Sequence, residues 1–398
     1  MENNNIVSFP GNTAARANQA GRQLIPSRFR DARRAKRMTQ EELGSKVGVS
    51  RQAISSYEAG DKTPEPSTFL KLTEALDQPT SFFTKEDLKT FGDFGPRFFR
   101  KSGPETVRRN DACTVLGEWF VQIASYLDDY VNYPPVNLMR ASASDTSGRY
   151  SLEEIEEIAD AFRRHCGLGP GPISNVAALL ESKGVAICHY QITEERIDAF
   201  SFWNGNRPFI FMASERESGA RVRFDLAHEL GHLILHRWIE PQELLDPKLL
   251  KVIESEADRF ASAFLLPRSS FPNEVFTARL DAFVNLKRRW GVSIQALVYR
   301  CRDLELIDDA QFTNLYKQIS FRKWRKKEPL DDPKEMKIEN PKLLRRAIEL
   351  VLESGKKHPE DLCAEMAFNP SLIETFCNLP QGTLSPRPTD EMEPSLKE

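Results

Sequence analysis

The run His228-Glu229-Leu230-Gly231-His232 constrains this chain more than any other five residues in it. On a helix, positions i and i+4 face the same way, so both imidazoles can aim a nitrogen at one ion about 2.0–2.1 Å away. Glu229 sits one step around the helix, placed to take a proton from water that the metal has acidified rather than to bind the metal itself. Ala227, Leu230, Gly231, Leu233 and Ile234 surround the run with uncharged residues, which predicts a buried helix. A buried ion site needs a sizeable core, and 398 residues provide two or three domains.

A third ligand is required. A metzincin would carry Gly at 235 and His at 238, but Leu235 and Trp238 stand there. His236 lies two turns beyond His228, roughly 12 Å along the axis, too far to share the ion, and reads as a supporting or structural residue. The segment ESEADRFASAFLLP (254–267) interrupts an apolar helical face with acidic residues, and a helical wheel does not separate Glu254 from Glu256. An oxyanion donor is not specified. His189, Tyr190, Trp203 and Arg237 are near in sequence, and each reads more simply as structural.

The segment MTQEELGSKVGVSRQAISSYEAGDKTPEP (38–66) is the second strong signal. Thr39 and Glu42 form a capping box that starts a helix. Leu43 and Val47 give it an apolar stripe, and Gly48 permits a sharp turn. Ser50 caps a second helix, Ala53, Ile54 and Tyr57 form its buried face, and Gly60 ends it. Helical hairpins are common, so charge tilts the decision. Residues 22–62 hold ten basic and five acidic side chains, against a net charge of -3 for the whole chain. The second helix presents Arg51, Gln52, Ser55 and Ser56, of which Arg suits the guanine edge and Gln the adenine edge.

Between these landmarks, residues 111–133, 151–166, 220–237 and 248–266 are expected to be helical, GVAICHY (184–190) a strand, and 199–212 a hairpin turning at Asn204-Gly205-Asn206. The Phe98-Phe99-Arg100 cluster reads as linker aromatics packing on the next domain. In the C-terminal part, HPEDLCAEMAFNPSLIETF has the rhythm of two short helices, the second exposing only Glu374 and Thr375, and reads as a packing module rather than a second DNA reader. The basic run 322–327 reads as a solvated face. No apolar run approaches a membrane span, the N-terminus lacks a secretory pattern, and six scattered cysteines read as reduced thiols. Together these place the chain in the cytoplasm, away from membranes.

With those residues in view, 38–66 resembles the Xre/Cro-repressor helix-turn-helix family over about 55 residues. The resemblance implies a five-helix lambda-repressor-like domain, a homodimer on double-stranded operator DNA, and Gln40, Ser50, Arg51, Gln52, Ser55 and Ser56 at the DNA, with Gln40 on a phosphate. Gly44 departs from the family's usual Ala and is expected to loosen the first helix by somewhat under 1 kcal/mol. RFDLAHELGHLILH (223–236) followed by ESEADRFASAFLLP is similar to the ImmA/IrrE metallopeptidases, a gluzincin-like group, over about 95–350. That resemblance implies zinc (Zn2+) held by His228, His232 and Glu256, with Glu254 in reserve and Glu229 catalytic.

The expected fold is mainly α with a small β-sheet (α+β). A disordered tail (1–25) precedes the helix-turn-helix domain (26–85) and a linker (86–110). The zinc peptidase domain (111–300), a helical C-terminal module (301–380) and a disordered tail (381–398) follow. The resemblance implies a regulator that cleaves a repressor-type protein or itself in a stress or mobile-element response. The rival is a non-cleaving regulator or antitoxin whose zinc domain senses a ligand or docks a toxin.

Overall fold

The helices begin where the sequence supplies caps. In the computed structural model, which describes residues 24–97, 104–141, 149–190, 199–212, 218–240 and 242–385, helix α1 (Pro26–Ala35) is followed by α2 (Gln40–Val47) and α3 (Arg51–Ala59). Thr39 Oγ1 accepts from the Glu42 amide at 3.1 Å while Glu42 Oε2 accepts from the Thr39 amide at 2.6 Å, closing the expected capping box. Gly48 and Gly60 end α2 and α3 in the left-handed region, at φ 82° and 80°. Helix α4 (Pro66–Leu76) and a 3-10 turn (Thr80–Phe83) complete the bundle, so its fifth helical element is a single tight turn. Phe29, Leu43, Val47, Ile54, Phe69, Leu76 and Phe83 form its core, whereas Ala53 and Tyr57 are only half-buried.

The space at Gly44 excludes the Ala usual in the family. A Cβ there would lie 2.7 Å from the Val49 carbonyl oxygen, because the turn folds back over α2 and both Gly48 and Val49 donate to the Gly44 oxygen at 2.9 Å. Glycine is what lets this turn close.

The chain divides into two compact units, and the division is not linear. One holds the described residues of Met1–Lys89, Lys101–Val131 and Ala347–Glu398; the other holds those of Thr90–Arg100 and Asn132–Arg346. Helix α5 (Pro104–Asp128), placed by its sequence position at the head of the peptidase domain, belongs with the helix-turn-helix bundle. Its Trp119 ring stands 5.1 Å from Phe82, and Phe368 lies 5.6 Å from both. The Arg28 guanidinium lies 4.0 Å above the Phe82 ring and donates to Asp87.

The expected C-terminal module is likewise split. Residues 301–346 pack with the second unit and residues from Ala347 onward with the first, the boundary falling within α13 (Leu343–Glu353). Two short helices near the C-terminus, α14 (Pro359–Met366) and α15 (Pro370–Phe376), bury Leu362, Met366, Ile373 and Phe376. Glu374, expected to be exposed, is buried and accepts from the amides of Leu384 at 2.7 Å and Gly382 at 3.0 Å.

The second unit is built around a three-stranded sheet and two long helices. Strands β1 (Ala186–His189), β2 (Phe200–Asn204) and β3 (Arg207–Met212) lie in the order β1-β3-β2, with β1 parallel and β2 antiparallel to β3. The β2–β3 turn falls at Gly205, where φ is +55° and a Cβ would collide with the Phe91 carbonyl. Residues 90–97 run along this hairpin: Asn204 accepts from the Phe91 amide at 2.8 Å, and Gly95 donates to the Trp203 carbonyl at 2.7 Å. This is the docking element expected of the linker; Phe98-Phe99-Arg100 and most of both expected disordered tails lie outside the described residues.

Helix α6 (Leu152–His165) and the short α7 (Val176–Ser182) precede the sheet; α8 (Gly219–Leu235) and α9 (Pro247–Leu265) follow it. Helices α10 (Leu280–Trp290), α11 (Ile294–Asp303) and α12 (Asp309–Phe321) complete the unit. Arg300 on α11 meets Glu156 on α6 through two bonds of 2.5 and 2.8 Å, and Arg259 on α9 reaches the same carboxylate at 2.7 Å. This largely buried cluster ties α6, α9 and α11 together. The basic run at 322–327 is largely exposed, with Arg322 paired to Asp281 at 2.9 Å. None of the six cysteines is in a disulfide, and no helix among the described residues is long and apolar enough to cross a membrane.

Candidate functional site

Helix α8 is buried on nearly every side, as its uncharged surroundings predict. The sheet grips it through backbone carbonyls: Ser201 Oγ donates to the Glu229 oxygen at 3.1 Å and Trp203 Nε1 to the Leu233 oxygen at 3.2 Å. Helix α9 crosses the other side at Gly231. A Cβ on Gly231 would stand 3.2 Å from Ala257 Cα and 3.3 Å from the Ala257 oxygen, so a glycine facing an alanine allows the backbones to approach this closely. Gly231→Ala is expected to force α9 outward, costing about 1–3 kcal/mol and weakening zinc uptake, as read by thermal melts with and without zinc. An unchanged melting temperature would show that the crossing is not tight.

That crossing brings His228 and His232 together with Glu254. Their ligand atoms all lie within 4.8 Å of one another. The two Nε2 atoms are 3.0 Å apart, and Glu254 carboxylate oxygens lie 3.5 Å from His228 Nε2 and 3.4 Å from His232 Nε2. Donors about 2.0–2.1 Å from a tetrahedral ion are themselves about 3.3–3.4 Å apart. Two imidazoles and one carboxylate at this spacing therefore fit zinc, with the fourth position left for water or substrate. Burial opposes ionisation of Glu254, but hydrogen bonds and charge from His228 and His232 outweigh it and hold the carboxyl well below the usual carboxylate range.

Glu256 occupies a different place from the one its resemblance implied. Residues two apart on a helix point some 200° apart, so Glu254 and Glu256 cannot both face the histidine pair. Glu256 Oε2 lies 2.8 Å from His236 Nε2, and its Oε1 accepts from the Tyr150 amide at 3.2 Å. His236 in turn lies 3.0 Å from His232, Nδ1 to Nδ1. Burial drives the His236 imidazole down to about 4, against the Glu256 hydrogen bond that favours its charged form, so the ring is neutral at pH 7. On the outer side of His228, Asp258 Oδ1 lies 2.7 Å from Nδ1. The sequence held a signal for this set: Glu254 and Asp258 are four apart and share a face, as His228 and His232 do.

Glu229 is buried on α8 beside the first histidine and is not among the clustered ligands. Of the four oxyanion donors considered, Trp203 gives its N–H to Leu233 and its face to the Arg237 guanidinium 3.8 Å away, so these two are engaged with each other. His189 is buried at the end of β1, and Tyr190 follows it, donating its amide to Met212.

In the helix-turn-helix unit, α3 exposes Arg51, Gln52 and Ser55, with Ser56 half-buried. Ser50 caps this helix, its Oγ accepting from the Ala53 amide at 3.2 Å. Gln40 donates its side-chain amide to Glu58 Oε2 at 2.8 Å, beside a bidentate Arg33–Glu58 pair at 2.6 and 3.0 Å. Both helices of the pair are thus pinned to α1 from their buried sides.

Comparison with known proteins agrees with both halves. The helix-turn-helix family matches residues 29–83, and the IrrE N-terminal-like domain, a peptidase family, matches residues 180–302. The chain is similar to the uncharacterized HTH-type transcriptional regulator y4dJ of Sinorhizobium fredii, 42% identical over 55 residues that make up 14% of this chain and 71% of that protein. It is also similar to the uncharacterized HTH-type transcriptional regulator YqaE of Bacillus subtilis, 26% identical over 85 residues, 21% of this chain and 72% of that one.

Proposed function

Because the chain belongs to the helix-turn-helix transcriptional regulators and carries an IrrE-like domain, we propose that it is an operator-binding protein with a working zinc endopeptidase. The observation that carries the peptidase half is the meeting of His228, His232 and Glu254 beside Glu229 on one buried helix. His228, His232 and Glu254 would hold zinc, which when bound would supply Lewis acidity toward a carbonyl and a water molecule. Glu229 would take a proton from the attacking water and pass it to the leaving amine. Asp258 holds the His228 ring, and the sheet holds α8, so the donors stay in place while substrate binds.

The substrate we assign is a repressor-type protein or the chain itself, cut in a stress or mobile-element response to relieve repression in the cytoplasm. Arg51, Gln52, Ser55 and Ser56 read the operator, Ser50 and Gln40 support them, and two copies meet paired half-sites about one helical turn apart. Arg51→Ala is expected to relax preference at one base pair by about 1–3 kcal/mol, as measured by binding to a panel of single-base operator variants. Equal weakening on every sequence would instead make Arg51 a phosphate contact.

The test of cleavage is to mix zinc-loaded protein with a panel of repressor-type regulators, and separately to incubate it alone, and to map fragments by mass spectrometry. Defined fragments that vanish on chelation support the proposal. Intact chains in both mixtures, with zinc bound, would leave a regulator or antitoxin that docks a partner such as a toxin without cutting.

A further inference from the structure

We propose that His236 and Glu256 are positioning residues: they fix which nitrogen of His232 carries the proton and so set the affinity of the metal centre. The proposal rests on the assignment of His228, His232 and Glu254 as the zinc-binding group. His232 can bind through Nε2 only if that nitrogen keeps its lone pair, so its ring proton must sit on Nδ1. His232 Nδ1 lies 3.0 Å from His236 Nδ1, and two ring nitrogens share a hydrogen bond only when one donates and the other accepts. His236 must then offer a bare Nδ1 and carry its own proton on Nε2. That nitrogen lies 2.8 Å from Glu256 Oε2, and a carboxylate can only accept.

Every bond in the run thus fixes the direction of the next. Glu256 accepts from His236, His236 accepts from His232, and His232 turns its lone pair toward His228 and Glu254. The opposite order would put a proton on His232 Nε2, where Glu254 and His228 Nε2 lie 3.4 and 3.0 Å away, and would remove the donor that zinc needs. His236 is 0% exposed and Glu256 5%, so bulk water does not substitute for either. The Tyr150 amide, 3.2 Å from Glu256 Oε1, holds the far end of the run. His228 is handled differently: its partner Asp258 acts directly from an exposed position.

The experiment measures zinc affinity of the full chain by competition with a chelating dye, for the parent, His236→Phe and His236→Asn, with melting of each metal-free protein as the check on folding. Phe keeps the ring volume and removes the acceptor; Asn loses volume but can offer an oxygen to His232 Nδ1. The Phe variant is expected to lose about 10–100-fold in zinc affinity, the scale of an outer-partner loss. The Asn variant is expected to stay within about threefold, because its side-chain oxygen accepts as the imidazole nitrogen did. Both variants near the parent, both weakened alike, or Asn weaker than Phe would each overturn the relay in favour of plain packing. A parent that takes up no zinc fails before any variant is compared, and that result falls on the assignment of the metal centre.

Discussion

Replacing Glu229 by Gln is expected to abolish fragment formation while leaving zinc uptake and operator affinity unchanged. The change is nearly isosteric and removes a base without touching the group that could hold a metal, His228, His232 and Glu254. A positioned general base contributes about 10²–10⁴-fold to rate, so residual cleavage should fall by at least roughly 10². Three measurements on one protein decide it: mass spectrometry of the mixed regulator, zinc per chain, and operator binding. If reporter repression and induction in cells are untouched by the substitution, cleavage is not how this protein regulates. The zinc domain would then act as a sensor or docking module.

Glu254→Gln is expected to cost the metal itself. Removing one of three protein donors, and the one anionic donor among them, should weaken zinc by more than the 10–100-fold that an outer partner costs. Glu256→Gln should stay within that outer-partner range, because its carboxylate reaches the metal site through His236 and His232. Thermal melts give a second readout. Ligand that binds only the folded state adds about 4 kcal/mol at a thousandfold excess over Kd, so zinc should raise the melting temperature of the parent and of Glu256→Gln but not of Glu254→Gln. The reverse ranking would restore Glu256 as the ligand.

The two glutamates show where sequence reasoning stops. A helical wheel around 254–258 describes one helix and cannot say which of its faces meets α8. The pairing of Glu254 with Asp258 four residues on is visible in the sequence, yet it selects a face only once the two histidines are known to lie opposite it. Gly231 had the same status. Within its motif it reads as a filler, and only the Ala257 backbone 3.2 Å from a would-be Cβ shows how closely α8 and α9 approach there. Gly44 reads as a weakness for the same reason, until the Val49 carbonyl shows that a side chain has no room.

Packing across the chain is equally hidden from the sequence. Helix α5 follows the helix-turn-helix bundle after a short stretch and the C-terminal helices follow only after residues 132–346, yet Trp119 and Phe368 both pack on Phe82. Nothing local marks these aromatics as belonging together, because each satisfies an ordinary amphipathic pattern in its own helix.

The run at 228–232 and its uncharged neighbours were therefore enough to predict a buried helix with two imidazoles on one face and a carboxylate beside them. Helical periodicity and capping act within a turn or two, and residues that close in the chain carry the whole of that information. The meeting of Glu254 with the two histidines, the contacts of His236 with His232 and Glu256, and the membership of the two units are visible only in the tertiary structure. Each depends on how closely and at what rotation separate elements meet, and that is set jointly by side chains far apart in sequence.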